Sequence, residues 1–352
     1  MSGSYFVIWR LLLFIPLIAG AYLIPFNTSS PVSYVLDPIF PWANFDGIHY
    51  LNIAKDGYTN QARFFPLLPL ILKITSGSIL ASSILVTVIF FLALWIFKKL
   101  IELDFSKEIS NKSIFNLLIF PTSFFFVCVY SEGLFFLLSL LTFYFARKKR
   151  WLLSVIFAAA LMTTRFVGIA ILPALIFELI TAKAGIKKFT LLLIAPLGLI
   201  AYSIFNYFKW HNFLYFIQAQ GELGNNRSVN SIILFPQTIY RYVKILSTVS
   251  ISYEWGIALL ELISFLFVSF LLYFTWKKKI RISYLIFAFV NFGIIISTGT
   301  FSGLPRYVLT LFPIFIALAL IKNKFFKLIY FILSLILLFI LLMLFSRGYF
   351  VA

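Results

Sequence analysis

The sequence is poor in charge. Asp, Glu, Lys and Arg make up 11% of its 352 residues, against about 25% in soluble domains. Acidic groups are the scarcest, 11 against 29 basic residues, which leaves a formal net charge of +18. With 62% hydrophobic and 20% aromatic residues, a water-soluble fold is excluded, because one core cannot hide that much apolar surface; the bilayer must be the solvent. The single cysteine, Cys128, excludes a disulfide framework and any Cys-based metal site. Two histidines, His49 and His211, leave little for a zinc or haem centre. A P-loop, a Gly-x-Gly-x-x-Gly turn, an Asp-x-Asp pair and a Gly-x-Ser-x-Gly elbow are all missing. A nucleotide-dependent reaction through a metal bridge therefore has no support, and no cofactor or metal is expected. Nothing divides the chain: there is no Ser/Gly linker, low-complexity segment or internal repeat. Residues 1–352 read as a single integral membrane domain.

What the sequence does have is apolar runs. They fall at about 5–25, 78–97, 113–130, 132–146, 152–181, 189–208, 255–276, 282–298, 307–321 and 325–345, where a crossing helix needs roughly 17–25 residues. Compact basic clusters lie between them: Lys98, Lys99, Lys107 and Lys112; Arg147 to Arg150; Lys183, Lys187 and Lys188; Lys277 to Lys279 with Arg281; and Lys322, Lys324 and Lys327. These hold more than half of the basic residues, and short Lys/Arg-rich loops stay cytoplasmic. Scattered over inside loops, they form no single patch, so nucleic acid is the least expected partner.

Two of these clusters flank Trp151–Ala182, and one straight helix cannot begin and end on the same side. The stretch is read as a hairpin of two short helices turning near Arg165–Gly168, the alternative being one tilted helix. About eleven transmembrane helices follow, with the N-terminus cytoplasmic and the C-terminus external. Ala19-Gly20-Ala21 resembles a small-residue cleavage site, but Arg10 interrupts the stretch and its apolar character continues to Phe26, so an uncleaved first span is expected.

Two loops, about 26–77 and 209–254, are then external and carry short interfacial helices. In the first, Asp46 can N-cap a helix that ends at Gly57. His49 and Tyr50 follow three and four residues later, over the same end, while Ile48, Leu51 and Ile53 face an apolar surface. Asp46 can act as a general base at the membrane surface, or serve only as a cap. Tyr130, Ser131 and Glu132 sit at an outer turn, Arg165 at the hairpin tip, and Arg306 at the start of the 307–321 run. Ionisable groups at membrane depth are costly and face a cavity or a partner. Arg165 and Arg306 can grip a phosphate or pair with a local carboxylate such as Glu132. In the second loop, Gln218-Ala219-Gln220 beside aromatic residues suits a sugar or headgroup, and equally an interfacial belt. Arg10 and Glu178 are candidates for burial in pairs.

Several motifs in order resemble the PIG-V family, relatives of the second mannosyltransferase of glycosylphosphatidylinositol anchor synthesis. They are Phe45-Asp46-Gly47-Ile48-His49-Tyr50-Leu51-Asn52-Ile53-Ala54, Gly57-Tyr58, Phe64-Phe65-Pro66-Leu67-Leu68-Pro69, Pro121-Thr122-Ser123-Phe124-Phe125, Tyr130-Ser131-Glu132, Thr164-Arg165 with Gly168, Phe216 with Gln218-Ala219-Gln220, and Pro305-Arg306-Tyr307 with Pro313. Two positions depart from the pattern: Phe45 stands where a Trp is expected, and Gly47 where many relatives carry a bulkier residue. The resemblance implies the all-α polytopic GT-C fold and an inverting, metal-independent glycosyltransferase. The donor is a polyprenyl-phosphate-linked sugar, mannose by the family, lying among membrane lipids. The acceptor is a glycan, lipid or protein hydroxyl that the sequence does not specify.

The resemblance further implies Asp46 as catalytic base. The donor phosphate then sits near Arg165 and Arg306, with Arg63 and Arg227 as further candidates. His49, Tyr50, Tyr130, Glu132 and Gln218 are candidate substrate-positioning groups. The membrane is the plasma membrane in a prokaryote and the endoplasmic reticulum in a eukaryote. Two rival classes remain: a transporter or flippase of lipid-linked sugars, and a non-catalytic subunit of a glycosylation complex.

Overall fold

The long helices begin on polar caps and end on cations. In the computed structural model, which describes residues 2–27, 41–221, 227–229 and 231–352, the Ser78, Ser106, Ser252 and Asn323 side chains accept from backbone N–H groups three residues on. Such caps satisfy donors that the first helical turn cannot pair. Lys98 and Lys99, Arg147 and Lys277 occupy last turns, where the helix dipole favours positive charge. Parts of both expected external loops, 28–40, 222–226 and 230, lie outside the described residues.

The helices run in this order: α1 (Ser2–Leu12), α2 (Phe14–Leu23), α3 (Asp46–Asp56), α4 (Leu67–Leu72), α5 (Ile79–Ile101), α6 (Lys107–Leu118) and α7 (Glu132–Arg147). Then come α8 (Trp151–Met162), α9 (Ile171–Thr181), α10 (Ile186–Phe189), α11 (Leu197–Trp210), α12 (Tyr215–Gln218) and α13 (Phe235–Thr248). Last are α14 (Tyr253–Lys277), α15 (Ile282–Ile296), α16 (Leu304–Tyr307), α17 (Pro313–Leu320) and α18 (Lys324–Ser346). Among the described residues there is no strand, only an isolated bridge between Ile233 and Thr298. Five stretches are long and apolar enough to cross a bilayer: Gly3–Leu23, Ile79–Ile101, Ile186–Trp210, Tyr253–Lys277 and Lys324–Ser346. Large apolar side chains such as Leu92, Leu266 and Leu333 face outward from them, as lipid-facing helices require. The protein is all-helical and carries the helices of a membrane protein.

The expected spans at 113–130 and 307–321 are broken. The run at 113–130 holds only the end of α6; the helix stops at Leu118, before Pro121, and a 3-10 turn, Ser123–Val127, follows. Proline has no N–H to give and forces the preceding residue out of helix. The run at 307–321 is likewise broken, into a 3-10 turn, Val308–Thr310, and α17, which starts at Pro313. The stretch 152–181 does break at the expected place: α8 ends at Met162, Arg165 is extended, and a 3-10 turn, Phe166–Ala170, leads into α9. A Cβ on Gly168 would lie 2.9 Å from the Leu161 carbonyl, so only glycine lets the turn fold back so closely onto α8.

The chain forms two compact units. The first takes Met1–Gly57, Leu67–Tyr144 and Phe315–Val351. In it α2 packs on α18 at Gly20, where a Cβ would meet the Met343 backbone at 3.2 Å. The turn at Ser123–Val127 packs on α5, with Phe126 stacked on Phe90 at 4.3 Å. The Arg10 guanidinium lies 4.1 Å from the centre of the buried Trp42 ring.

The second unit takes Tyr58–Pro66, Phe145–Ile314 and Ala352. Here α9 packs on α15, and Glu178 accepts two bonds from Arg281, at 2.5 and 2.7 Å, and one from Ser283 at 2.5 Å. Glu178 is thus buried and paired, as expected of it. The loop Tyr58–Pro66 is fastened by Tyr202, whose hydroxyl donates to the Ala62 carbonyl at 2.6 Å, and by Trp210, whose Nε1 donates to Thr59 at 2.9 Å. α8 and α11 meet at Gly198, where a Cβ would fall 2.1 Å from the Ala159 carbonyl oxygen.

That approach sets a paired test. Gly198→Ala forces two backbones apart, an overpacking cost of about 1–3 kcal/mol, and should lower the thermal midpoint of the detergent-solubilised protein. Gly256→Ala, where a Cβ meets nothing within 4 Å, should leave the midpoint unchanged or raise it slightly, since alanine favours helix. Equal midpoints for the two variants would contradict the packing described.

Candidate functional site

In the first unit the candidate is the turn that enters α3. Helix α3 ends at Gly57 as expected, with φ of 82° there. Ile48, Leu51 and Ile53 are buried, also as expected. The entry differs. Asp46 is the first helical residue rather than the cap; the cap position belongs to Phe45, at φ 55° and ψ −115°, with no side-chain capping bond. A bulky residue at positive φ is strained, and the strain holds because the flanking groups are anchored. Asn44 is fully buried, with its Nδ2 donating to the Phe345 carbonyl at 3.3 Å and its own carbonyl accepting from the Tyr130 hydroxyl at 2.8 Å. The Val129 N–H donates to the Trp42 carbonyl at 2.7 Å. A Cβ on Gly47 would lie 3.3 Å from Ala43 and 3.4 Å from the Val129 carbonyl, so the glycine allows a close approach here.

The candidate residues around this turn divide by what they touch. Tyr50 and Tyr130 are buried fasteners: the Tyr50 hydroxyl donates to Ser131 Oγ at 3.1 Å, and Tyr130 holds Asn44. Glu132 is buried at the start of α7. Asp46 and His49 keep partial exposure one turn apart. A carboxylate on a fixed helix start can accept a proton, while both ring nitrogens of His49 are buried.

In the second unit the candidate is a group of arginines around one ring. The guanidinium carbons of Arg165, Arg306 and Arg227 lie 4.6, 4.9 and 5.1 Å from the centre of the Tyr307 ring. The Tyr307 hydroxyl accepts from Arg227 at 2.9 Å and from Arg306 at 3.1 Å. Arg227 also donates to the Ser302 carbonyl at 3.0 Å and to Gln220 at 3.3 Å. Its Nε has no acceptor among the described residues. Three sequence-derived phosphate candidates are thus gathered on one tyrosine. The fourth, Arg63, stacks instead on its neighbour Phe64 at 4.6 Å.

A second tier holds this loop. Buried Glu261 on α14 accepts from the Tyr242 hydroxyl at 2.5 Å and from the Gly303 N–H at 3.2 Å. Tyr242 accepts in turn from the Phe301 N–H at 3.0 Å. Burial and the neighbouring Glu261 carboxylate push the Tyr242 hydroxyl well above the usual tyrosine range, so it stays a donor. Gly303 is required twice: its φ is 76°, and a Cβ would meet the Tyr307 ring at 2.9 Å.

Sequence reasoning missed Tyr307 as a scaffold, Glu261 and Tyr242 as its supports, and Asn44 as an anchor; of the pair Gln218 and Gln220 it put the first forward as a positioning group. Gln218 is exposed and its side chain accepts from Asn212 at 3.0 Å, while Gln220 meets Arg227. Glu261 carried a usable signal: a lone carboxylate inside an apolar run is a functional flag. The Phe45 backbone carried none, since φ is not written in composition. Among the described residues, no three His, Cys, Asp or Glu side chains gather closely enough to hold a metal ion.

Tyr242→Phe removes one of the donors to Glu261 and leaves the Phe301 N–H without its acceptor. Stability should fall by about 1–3 kcal/mol, and amide exchange should accelerate across 300–307, both readable in detergent by unfolding and hydrogen-exchange mass spectrometry. Unchanged exchange there would mean that the network does not hold the loop. In comparisons with known proteins, no family model matches the chain and no curated protein matches it significantly.

Proposed function

We propose that the protein is a membrane glycosyltransferase of the GT-C kind, akin to the PIG-V mannosyltransferases, with about eleven helices in the bilayer, a cytoplasmic N-terminus and an external C-terminus. It transfers a sugar, mannose by that kinship, from a polyprenyl phosphate to an acceptor hydroxyl, with inversion. The observation that carries this reading is the delivery of Asp46. A partly exposed carboxylate opens α3 directly after a backbone outlier at Phe45, on a turn whose other residues are buried and hydrogen-bonded. Strain of that kind costs about 1–3 kcal/mol and concentrates at functional sites. A cap alone would not need it, and Asp46 does not cap.

In this reading Asp46 takes the proton of the acceptor hydroxyl as its oxygen attacks the anomeric carbon. The bond from that carbon to the phosphate oxygen breaks on the opposite face, and its electron pair leaves on the phosphate. Arg165, Arg306 and Arg227 stabilise the charge that develops there. A β-linked donor then yields an α-linked product. The donor tail rests among membrane lipids against apolar helices, and no nucleotide is needed because the donor is already activated. His49, one turn after Asp46, orients the carboxylate or a sugar hydroxyl, while Tyr50 and Tyr130 act through the turn that they fasten.

The test is sugar transfer by the purified protein from polyprenyl-phosphate mannose to a panel of glycan, lipid and peptide acceptors. Asp46→Asn should cost about 10²–10⁴-fold in turnover, the usual range for a general base. Arg306→Gln and Arg165→Gln should each cost about 10²-fold. Near-wild-type turnover in folded Asp46→Asn protein removes Asp46 from the mechanism. Passage of the lipid-linked sugar across proteoliposomes without transfer would instead favour a flippase.

A further inference from the structure

In the first unit, α6 and α18 leave a groove of about 180 Å³ between them. Its walls are aromatic: Phe115 and Phe331 lie nearly parallel, ring centres 6.0 Å apart, and both are exposed. Ile119 and Leu318 continue the apolar lining. Tyr330 is buried at the floor, with its hydroxyl given to the Asn116 carbonyl at 2.8 Å, so that hydroxyl is already committed as a donor. Lys112 and Lys327 also line the groove, and both are exposed. The Glu108 carboxylate accepts a hydrogen bond from Lys112. That bond first, and Lys327 more weakly, hold the Glu108 carboxyl below its ordinary range. Two ammonium groups against one carboxylate leave the lining net positive.

An apolar trough with a cationic edge matches one chemistry: an anionic head attached to a hydrocarbon chain. We propose that this groove binds an anionic phospholipid, with the first part of an acyl chain between Phe115 and Phe331 and the phosphate at Lys112 and Lys327. Both lysines belong to clusters read from the sequence as cytoplasmic, and the cytoplasmic leaflet is where anionic lipids concentrate. The site involves neither Asp46 nor the arginines around Tyr307, so it stands or falls apart from the proposed sugar transfer.

The experiment is native mass spectrometry of the full chain, delipidated and then supplied with equimolar phosphatidylglycerol and phosphatidylcholine in mixed micelles. Phosphatidylglycerol should be retained preferentially, by about fivefold for each lysine that meets the phosphate. The preference should vanish in the Lys112→Gln/Lys327→Gln double variant, and weaken as salt rises. Phe115→Glu keeps both lysines but puts a carboxylate in the trough, and should expel the lipid. Equal retention of the two lipids, a preference untouched by the double variant, or displacement by inorganic phosphate at matched concentration would each overturn the proposal. Folding of each variant is checked by its thermal midpoint.

Discussion

A backbone inside a bilayer has no water to pair with, so every N–H and C=O must find a partner within the protein. Regular helices do this by themselves. Where this chain leaves the helix, side chains and neighbouring backbone take over. After α6, Ser123 Oγ donates to the Leu118 carbonyl at 2.6 Å. After α8, Thr163 and Thr164 donate to the Ala160 and Leu161 carbonyls, each at 2.6 Å. Before α16, Tyr242 and Glu261 receive the Phe301 and Gly303 N–H groups. Arg165 and Arg306 lie in or beside these breaks, and Tyr130 follows the turn after α6. The correlation has a cause: a helix interior spends its polar groups on itself, and only a break leaves backbone and side chains free to present chemistry.

Buried charge is handled in three distinct ways, and the differences separate structure from candidate function. Glu178 is closed: a bidentate arginine and a serine use its oxygens, and such a pair fixes α9 to α15 without offering anything to a ligand. Arg10 is met by an aromatic face, Trp42, which solvates a guanidinium without neutralising it. Glu261 is met by donors that carry no formal charge, a tyrosine hydroxyl and a backbone N–H. It lies within electrostatic reach of Arg227.

Much of this was legible in the sequence, and the boundary has a physical form. Composition and run length gave the helical membrane class, because burying 62% hydrophobic residues leaves no alternative. The basic clusters around 151–182 pointed to a break near Arg165–Gly168, because charge imposes a side on each loop, and the chain does leave the helix between Met162 and Ile171. Periodicity found the buried face of α3. Run length failed at 113–130 and 307–321, where Pro121 and Pro313 interrupt stretches that are apolar because they are buried in protein rather than because they are helical. Chemical type selected Arg165, Arg306 and Arg227, but not what gathers them. Tyr307 reads as one more interfacial aromatic, and Glu261 as a stray acid, until the 300–307 loop is folded. The difference between Gln218 and Gln220 is one of direction alone, which short helices such as α12 do not reveal by pattern.

The arginines around Tyr307 pose a problem of electrostatics. With each guanidinium carbon within about 5 Å of one ring centre, no two are farther apart than about 10 Å. At an effective dielectric near 20, like charges at that distance repel by roughly 1.7 kcal/mol per pair, and arginine cannot shed its proton to escape. The ring face offsets part of this, at about 0.5–2 kcal/mol per cation, and Glu261 offsets part for Arg227. What remains is a positive field held by groups that are themselves anchored: Arg306 follows Gly303, Arg165 follows the locked turn at Thr163 and Thr164, and Arg227 is tied to Ser302. A fixed excess of positive charge becomes favourable when a dianion enters, since each repulsive pair is then outweighed by attractions at shorter range. In the proposed transfer, the same preorganisation would stabilise a leaving phosphate more than a bound phosphodiester, because the charge on the phosphate rises as the sugar departs.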